Sequence, residues 1–155
     1  MRTSSDVHNY LEERGVPHEM LPMPDRSASA ERAAQLLGVR LGEIVKSMVF
    51  MVDGVPELVL VPGDARVAAQ SLAGATGARK VALARAQEVL AATGYRVGAV
   101  PPCGLASALP VVADPRVFDP PVVYCGGGAA ATMLKIRSAD LRTVVDPLVA
   151  DVAER

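Results

Sequence analysis

Apolar residues recur at helical spacing in Val7, Tyr10 and Leu11, behind Ser4 and Ser5 and ahead of Gly15. That pattern predicts a first helix capped by the serines and ended by the glycine. VPHEMLPMP then reads as a short extended segment broken by prolines. SASAERAAQLLG predicts a second helix capped by Ser27 or Ser29, with Ala33, Leu36 and Leu37 inward and Gly38 as its stop. LGEIV reads as one helical turn, and Lys46 follows at once, opening the apolar run SMVFMV. Asp53-Gly54 is a hairpin signal that returns the chain as PELVLVP. GDARVAAQSLAGATG predicts a third helix capped by Asp64, ARKVAL a short strand and ARAQEVLAATG a fourth helix.

GYRVGAVPPCGLASALP is too irregular for a helix and too apolar for a solvated linker, so it is expected to be an ordered loop near the core. PVVAD, PVVYC and MLKIR read as three further short strands, with Gly126, Gly127 and Gly128 between the last two. SADLRTVVD predicts a closing helix capped by Ser138. Helices and strands alternate, with several strands joined by short turns. The expected class is α+β, with a mixed, mostly antiparallel, strongly curved sheet. Without a repeat, linker or low-complexity stretch, residues 1–155 are expected to form one domain.

Composition narrows the function classes. Half of the residues are hydrophobic but only 3% are aromatic and none is Trp. The core must come from Ala, Val and Leu, which argues against an aromatic platform for single-stranded RNA. With a formal net charge of -1, any nucleic-acid partner is expected to be held locally, weakly and in a salt-sensitive way. No apolar run reaches the roughly 18 residues of a membrane span. The amino-terminal segment reads as a capped helix rather than a signal peptide. The expectation is a cytoplasmic protein with reduced thiols; an apolar chain of this kind is compatible with either monomer or dimer.

The familiar catalytic constellations find little support. The histidines are His8 and His18, both expected in surface or structural roles. No spacing suggests zinc or any other metal, and no cofactor is implied. Cys103 lies in the Gly-Pro loop without a neighbouring base, and reads as a small apolar filler. Cys125 ends a strand. The glycine triplet is compatible with a phosphate-cradling nest or with a tight turn. Of the 16 Lys and Arg residues only Lys46, Lys80 and Lys135 are lysine. Lys46 stands among Val45, Met48, Val49 and Phe50. Its ammonium must snorkel to water or await an anionic ligand, and the pattern alone favours snorkelling. Ser47 beside it is a spare hydroxyl.

Four segments together reverse that preference. LGVRLGEIVKSMVFMVDG, GYRVGAVPPCG, FDPPVVYCGGG with SADL, and SASAERAAQLLG resemble, in order, the motifs of the YbaK/prolyl-tRNA-editing family. The resemblance runs from about Ser27 to Val145. It implies a barrel-like mixed sheet flanked by helices, and hydrolysis of an amino acid wrongly esterified to tRNA. On it, Lys46 holds a phosphate or the terminal adenosine region. The GxxxP loop, matched by Gly98, Ala99, Val100, Pro101 and Pro102, shapes the pocket and presents backbone N–H groups. Lys46 and Gly98 are thereby the catalytic candidates. Ser27, Ser47, Ala99, Pro101, Pro102, Gly126 and Gly127 are the substrate-binding candidates.

The expected reaction is substrate-assisted attack of water on a Cys-tRNA(Pro)- or Ala-tRNA(Pro)-like ester, with backbone near Gly98 and the glycine turn stabilising charge. The expected partners are the 3′ end of tRNA and an aminoacyl-tRNA synthetase. Where relatives carry Ser, His or Asp, this chain reads GGGAAATM (Gly126 to Met133), so the resemblance does not name the amino acid removed. The alternatives are a non-catalytic module for the tRNA 3′ end, or a binder or hydrolase of a small nucleotide-like ligand.

Overall fold

In the computed structural model, which describes residues 1–24 and 29–154, the order of elements follows the pattern closely. The helices are α1 (Ser4–Glu13), α2 (Ala30–Leu37), α3 (Ala69–Thr76), α4 (Ala86–Thr93) and α5 (Ser138–Val145). The strands are β1 (Glu19–Pro22), β2 (Ile44–Val52), β3 (Val55–Pro62), β4 (Val81–Leu83), β5 (Val111–Ala113), β6 (Val122–Gly126), β7 (Thr132–Arg137) and β8 (Leu148–Val149). All eight join one mixed sheet in the order β1-β7-β6-β2-β3-β5-β8, with β4 attached to β2. Pairing is antiparallel for β1–β7, β2–β3, β2–β4 and β6–β7, and parallel for β2–β6, β3–β5 and β5–β8. The sheet is not closed; β1 and β8 lie at its two ends.

β2 is the spine. Asp53-Gly54 turns it back onto β3, with Lys46 opposite Val61 and Ser47 opposite Leu60. Asp53 holds the left-handed φ of 48° that this hairpin requires. Both faces of β2 are covered, as its continuous apolar run implies. Val45 and Val49 join a cluster with Val7, Leu11, Leu58, Leu60, Val100 and Leu134. Phe50 and Val52 join Val59, Val61, Leu72 and Val152 on the other side. α2 covers the start of β2 through Ala33, Ala34, Ile44 and Met133.

Several element starts differ from expectation. The cap of α1 is Thr3, whose N–H donates to Asp6 Oδ2 at 2.7 Å, one residue before the serines. Ser29 caps α2 by accepting from the Arg32 N–H at 3.1 Å, whereas Ser27 lies outside the described residues. The 3₁₀ turn spans only Leu41–Glu43, so Ile44 and Val45 already belong to the strand and Lys46 sits inside it. Asp64 does not cap α3, which begins at Ala69. Residues 66–68 pair instead with the chain end: Glu154 N–H donates to Arg66 O and Ala68 N–H to Val152 O. Ser138 is the first residue of α5, not its cap, because β7 runs straight into the helix at Arg137. β8 was not expected from the pattern.

Residues 94–110 form the expected ordered loop, with Ala99 through Gly104 buried. Tyr95, 1% exposed, donates its hydroxyl to the Gly104 carbonyl at 2.7 Å. The glycine turn locks onto the same loop. Gly128 N–H donates to Ala99 O at 2.9 Å, and a Cβ on Gly126 would stand 2.4 Å from Val100 O. Backbone here touches backbone, which only glycine permits. Gly126→Ala is therefore expected to destabilise the protein by about 2 kcal/mol or more, measured as a lowered denaturation midpoint in urea; an unchanged midpoint would show that the loop yields freely.

Candidate functional site

The site begins as a gap in the sheet. β3 occupies one edge of β2 along its length. On the other edge, β6 pairs only with Ile44 and Val45, and β4 only with Phe50 through Val52. Between them, Lys46 to Met48 have no strand partner on that side among the described residues, while Val49 O accepts from the Ala84 N–H at 3.0 Å. A cavity of about 410 Å³ lies at this gap, lined by Lys46, Ser47, Met48 and Val49 on β2 and by Val97, Gly98 and Val100 on the loop. Its size falls within the range of small-ligand sites.

Successive strand residues face opposite ways, so β2 offers this cavity two different polar groups. Lys46 points to the α3 side, where its Nζ donates to the Ala65 carbonyl. Burial, above all, holds its pKa below the usual lysine range, and Arg66 adds to this while Glu31 and Asp64 oppose it. Among the described residues, Lys46 and Glu31 are the only charged groups lining the cavity, and no carboxylate lies within salt-bridge distance of Lys46. Ser47 faces the other way. Its Oγ is buried and has no hydrogen-bond partner among the described residues. A buried orphan hydroxyl costs free energy and marks a place where a ligand atom would be satisfied.

The glycine-proline loop supplies a third element. Gly98 has a φ of 89°, and a Cβ there would meet nothing within 4 Å, so glycine is needed for conformation rather than for space. The N–H group of Gly98 makes no hydrogen bond to the described residues, whereas Ala99 N–H is spent on Arg96 O at 3.0 Å and the turn at residues 97–99 engages the Val100 N–H. The glycine turn is likewise spent: Gly127 N–H goes to Thr132 O and Gly128 N–H to Ala99 O. It thus acts as a brace for the loop and not as the charge-stabilising nest expected of it.

The sequence-based candidates therefore divide. Lys46, Ser47, Gly98 and Gly126 line the cavity. Ala99 lines a neighbouring cavity of about 500 Å³ with Arg2 and Arg96. Pro101 and Pro102 are buried and, with Gly127, line neither cavity. Glu31, in the first turn of α2, was not foreseen; its only signal was its place beside the Ser-rich helix entry. Cys103 and Cys125 are buried. Burial pushes the Cys103 thiol up to about 12 and raises Cys125 too, so neither is a nucleophile at neutral pH.

Residues 25–144 match the sequence profile of the aminoacyl-tRNA editing domain. The chain belongs to that family. Two relatives are proline--tRNA ligases, from Citrifermentans bemidjiense (33% identical over 119 residues, 77% of this chain and 21% of the relative) and Desulfovibrio desulfuricans (39% over 107 residues, 69% and 18%). This editing domain spans about a fifth of the length of those relatives. Among solved structures, one described as a candidate trans-editing enzyme for prolyl tRNA synthetase superposes with a TM-score of 0.92 at 29% identity, covering 100% of this chain and 99% of that one. The hypothetical protein APE2540 superposes with a TM-score of 0.90 at 35% identity, covering 96% and 99%. No helix among the described residues is long and apolar enough to cross a membrane.

The buried thiols yield a direct check on the editing domain. Native protein at about pH 8 should react with a thiol reagent roughly a hundredfold or more slowly than unfolded protein. Cys103→Ala should leave its activity unchanged. Rapid native labelling, or loss of activity in that variant, would restore Cys103 as a candidate nucleophile.

Proposed function

We propose that this editing domain acts in trans as an aminoacyl-tRNA deacylase, hydrolysing a small amino acid such as alanine or cysteine from mischarged proline tRNA. The observation that supports the reading is that Lys46, Ser47, Gly98 and Val100 line one cavity, with the Ser47 hydroxyl and the Gly98 N–H unpaired among the described residues. In this reading they serve as an anion anchor, a hydrogen-bonding wall and, at Gly98, an oxyanion donor, the parts that ester hydrolysis needs from a protein. An aminoacyl ester is already activated, and the vicinal ribose hydroxyl can orient or deprotonate the attacking water. Positioning then supplies much of the catalysis.

In this reading the terminal phosphate or adenosine region meets Lys46. The ester carbonyl turns toward Gly98, and the amino acid reaches the wall formed by Ser47, Val49, Val89 and Met133. Glu31, the one acidic residue lining the cavity among the described residues, is the negative charge toward which the α-ammonium of the substrate is drawn. The rim is apolar: Leu83 and Val97 line the cavity yet are 59% and 64% exposed, which suits them to contact a ribose or base. The tRNA and a synthetase are the proposed partners, in the cytoplasm, and residues 1–155 the proposed functional domain.

A second reading is a non-catalytic module for the same 3′ end. It is favoured by the spent N–H groups of the glycine turn and by the absence, among the described residues, of a histidine lining the cavity. Incubation with alanyl-, cysteinyl- and prolyl-tRNA(Pro) separates the two. Multiple-turnover release of one amino acid supports the deacylase; binding without release supports the module.

Lys46→Ala should lower kcat/KM for deacylation by about a hundredfold; a wild-type rate would refute the proposed role. Because burial lowers the Lys46 pKa, binding of a non-hydrolysable aminoacyl minihelix should fade as pH rises through a value below the ordinary lysine value of about 10.4. Lys46→Arg should abolish that dependence, since guanidinium stays charged. Ser47→Ala should raise KM roughly two- to tenfold without lowering Tm, because the free protein loses only an unsatisfied group. A fall in Tm with unchanged KM would make Ser47 structural.

A further inference from the structure

Away from the cavity, α1 and the approach to β1 bring together three side chains that the sequence keeps apart. His8 and Glu12 are four residues apart on α1, hence on one helix face, and Gly15 turns the chain so that His18 comes back against them. His8 Nδ1 lies 2.9 Å from His18 Nε2, with the ring centroids 4.9 Å apart. One ligand atom from each of His8, Glu12 and His18 falls within 4.8 Å of the others. Both histidines lie at the surface, and the fold brings them together with Glu12 into a cluster.

The tautomers are defined by the surroundings. His18 Nδ1 lies 2.8 Å from the Val16 carbonyl, an acceptor only, so Nδ1 carries the proton and Nε2 presents a lone pair. A backbone carbonyl on the far nitrogen is the usual partner that orients a metal-bound histidine. His8 meets that lone pair by donating from Nδ1. We propose that His8, Glu12 and His18 form a binding site for a divalent transition metal of the zinc class, with solvent completing the coordination. The metal takes the place of the proton between the rings, and His8 carries its own proton on Nε2 instead. Zn–N and Zn–O bonds of about 2.0–2.2 Å place neighbouring ligand atoms a little over 3 Å apart, which small side-chain rotations reach from the spacing seen. Two imidazoles and a carboxylate suit zinc, copper or nickel better than calcium or magnesium.

Such a metal ties the carboxy-terminal half of α1 to β1. The same helix presses Val7 against Gly104 and Gly128, so the staple is set on the element that covers the loop and the glycine turn. The site is independent of the proposed catalytic chemistry.

The test is calorimetric titration of Zn²⁺ alone into tag-free, chelator-treated full-length protein, paired with thermal unfolding. One Zn²⁺ per chain should bind, and Tm should rise by roughly 5 °C or more at a hundredfold excess over Kd. His8→Ala, His18→Ala and Glu12→Gln should each weaken binding tenfold or more. Glu12→Gln, an exposed near-isosteric change, keeps the test valid if a histidine variant fails to fold. Mg²⁺ should give no shift. Absence of a Zn²⁺ effect on the wild type, or an effect that survives Glu12→Gln and His8→Ala unchanged, overturns the proposal.

Discussion

The loop that forms one wall of the cavity has almost no ladder of its own, so its shape depends on the close approach of the glycine turn. Gly126 lies against the Val100 carbonyl, and Gly128 donates to the Ala99 carbonyl. Tyr95 secures the far end of the loop through Gly104. Packing between main chains leaves no side chain to relax, so the wall is stiff. That stiffness holds the Gly98 N–H in place, which is what the proposed role as an oxyanion donor requires.

Much of the fold was legible because periodicity and turn chemistry agreed with tertiary demands. Asp53-Gly54 specified the central hairpin, and the unbroken apolar run after Lys46 marked a strand covered on both faces. The misreadings share one cause. Asp64 looked like a helix cap, but the residues after it found a better partner in the chain end. Ser138 looked like a cap, but β7 enters α5 without a turn. β8 is two residues long and exists only because β5 offers it an edge. Each depends on contacts remote in sequence, which local pattern does not register.

The site was legible in part for a related reason. Lys46 stood out as a cation in an apolar strand, and the Gly-Pro loop as ordered yet irregular. The orphan state of Ser47 was invisible, because it depends on which groups pack over that face of β2. The glycine triplet was visible as either a nest or a tight turn, but not that Gly127 donates to Thr132 and Gly128 to the loop at Ala99. Glu31 and the meeting of His8 with His18 arise from helix placement alone. Membership of the aminoacyl-tRNA editing domain family accords with the reading of the motifs in order.

The gap between β6 and β4 has a bearing on how selectivity can drift. Its long walls are main chain, spaced by strand geometry at about 4.8 Å per strand, so its breadth cannot change without re-registering the sheet. The side chains that line it, Met48, Val49, Val89, Val97 and Met133 among them, can change without moving the strands. The depth and polarity of the recess can therefore be retuned by single substitutions on this framework, while its main-chain edge stays as it is. The lining of the recess and the frame that bounds it are, in this architecture, separately variable.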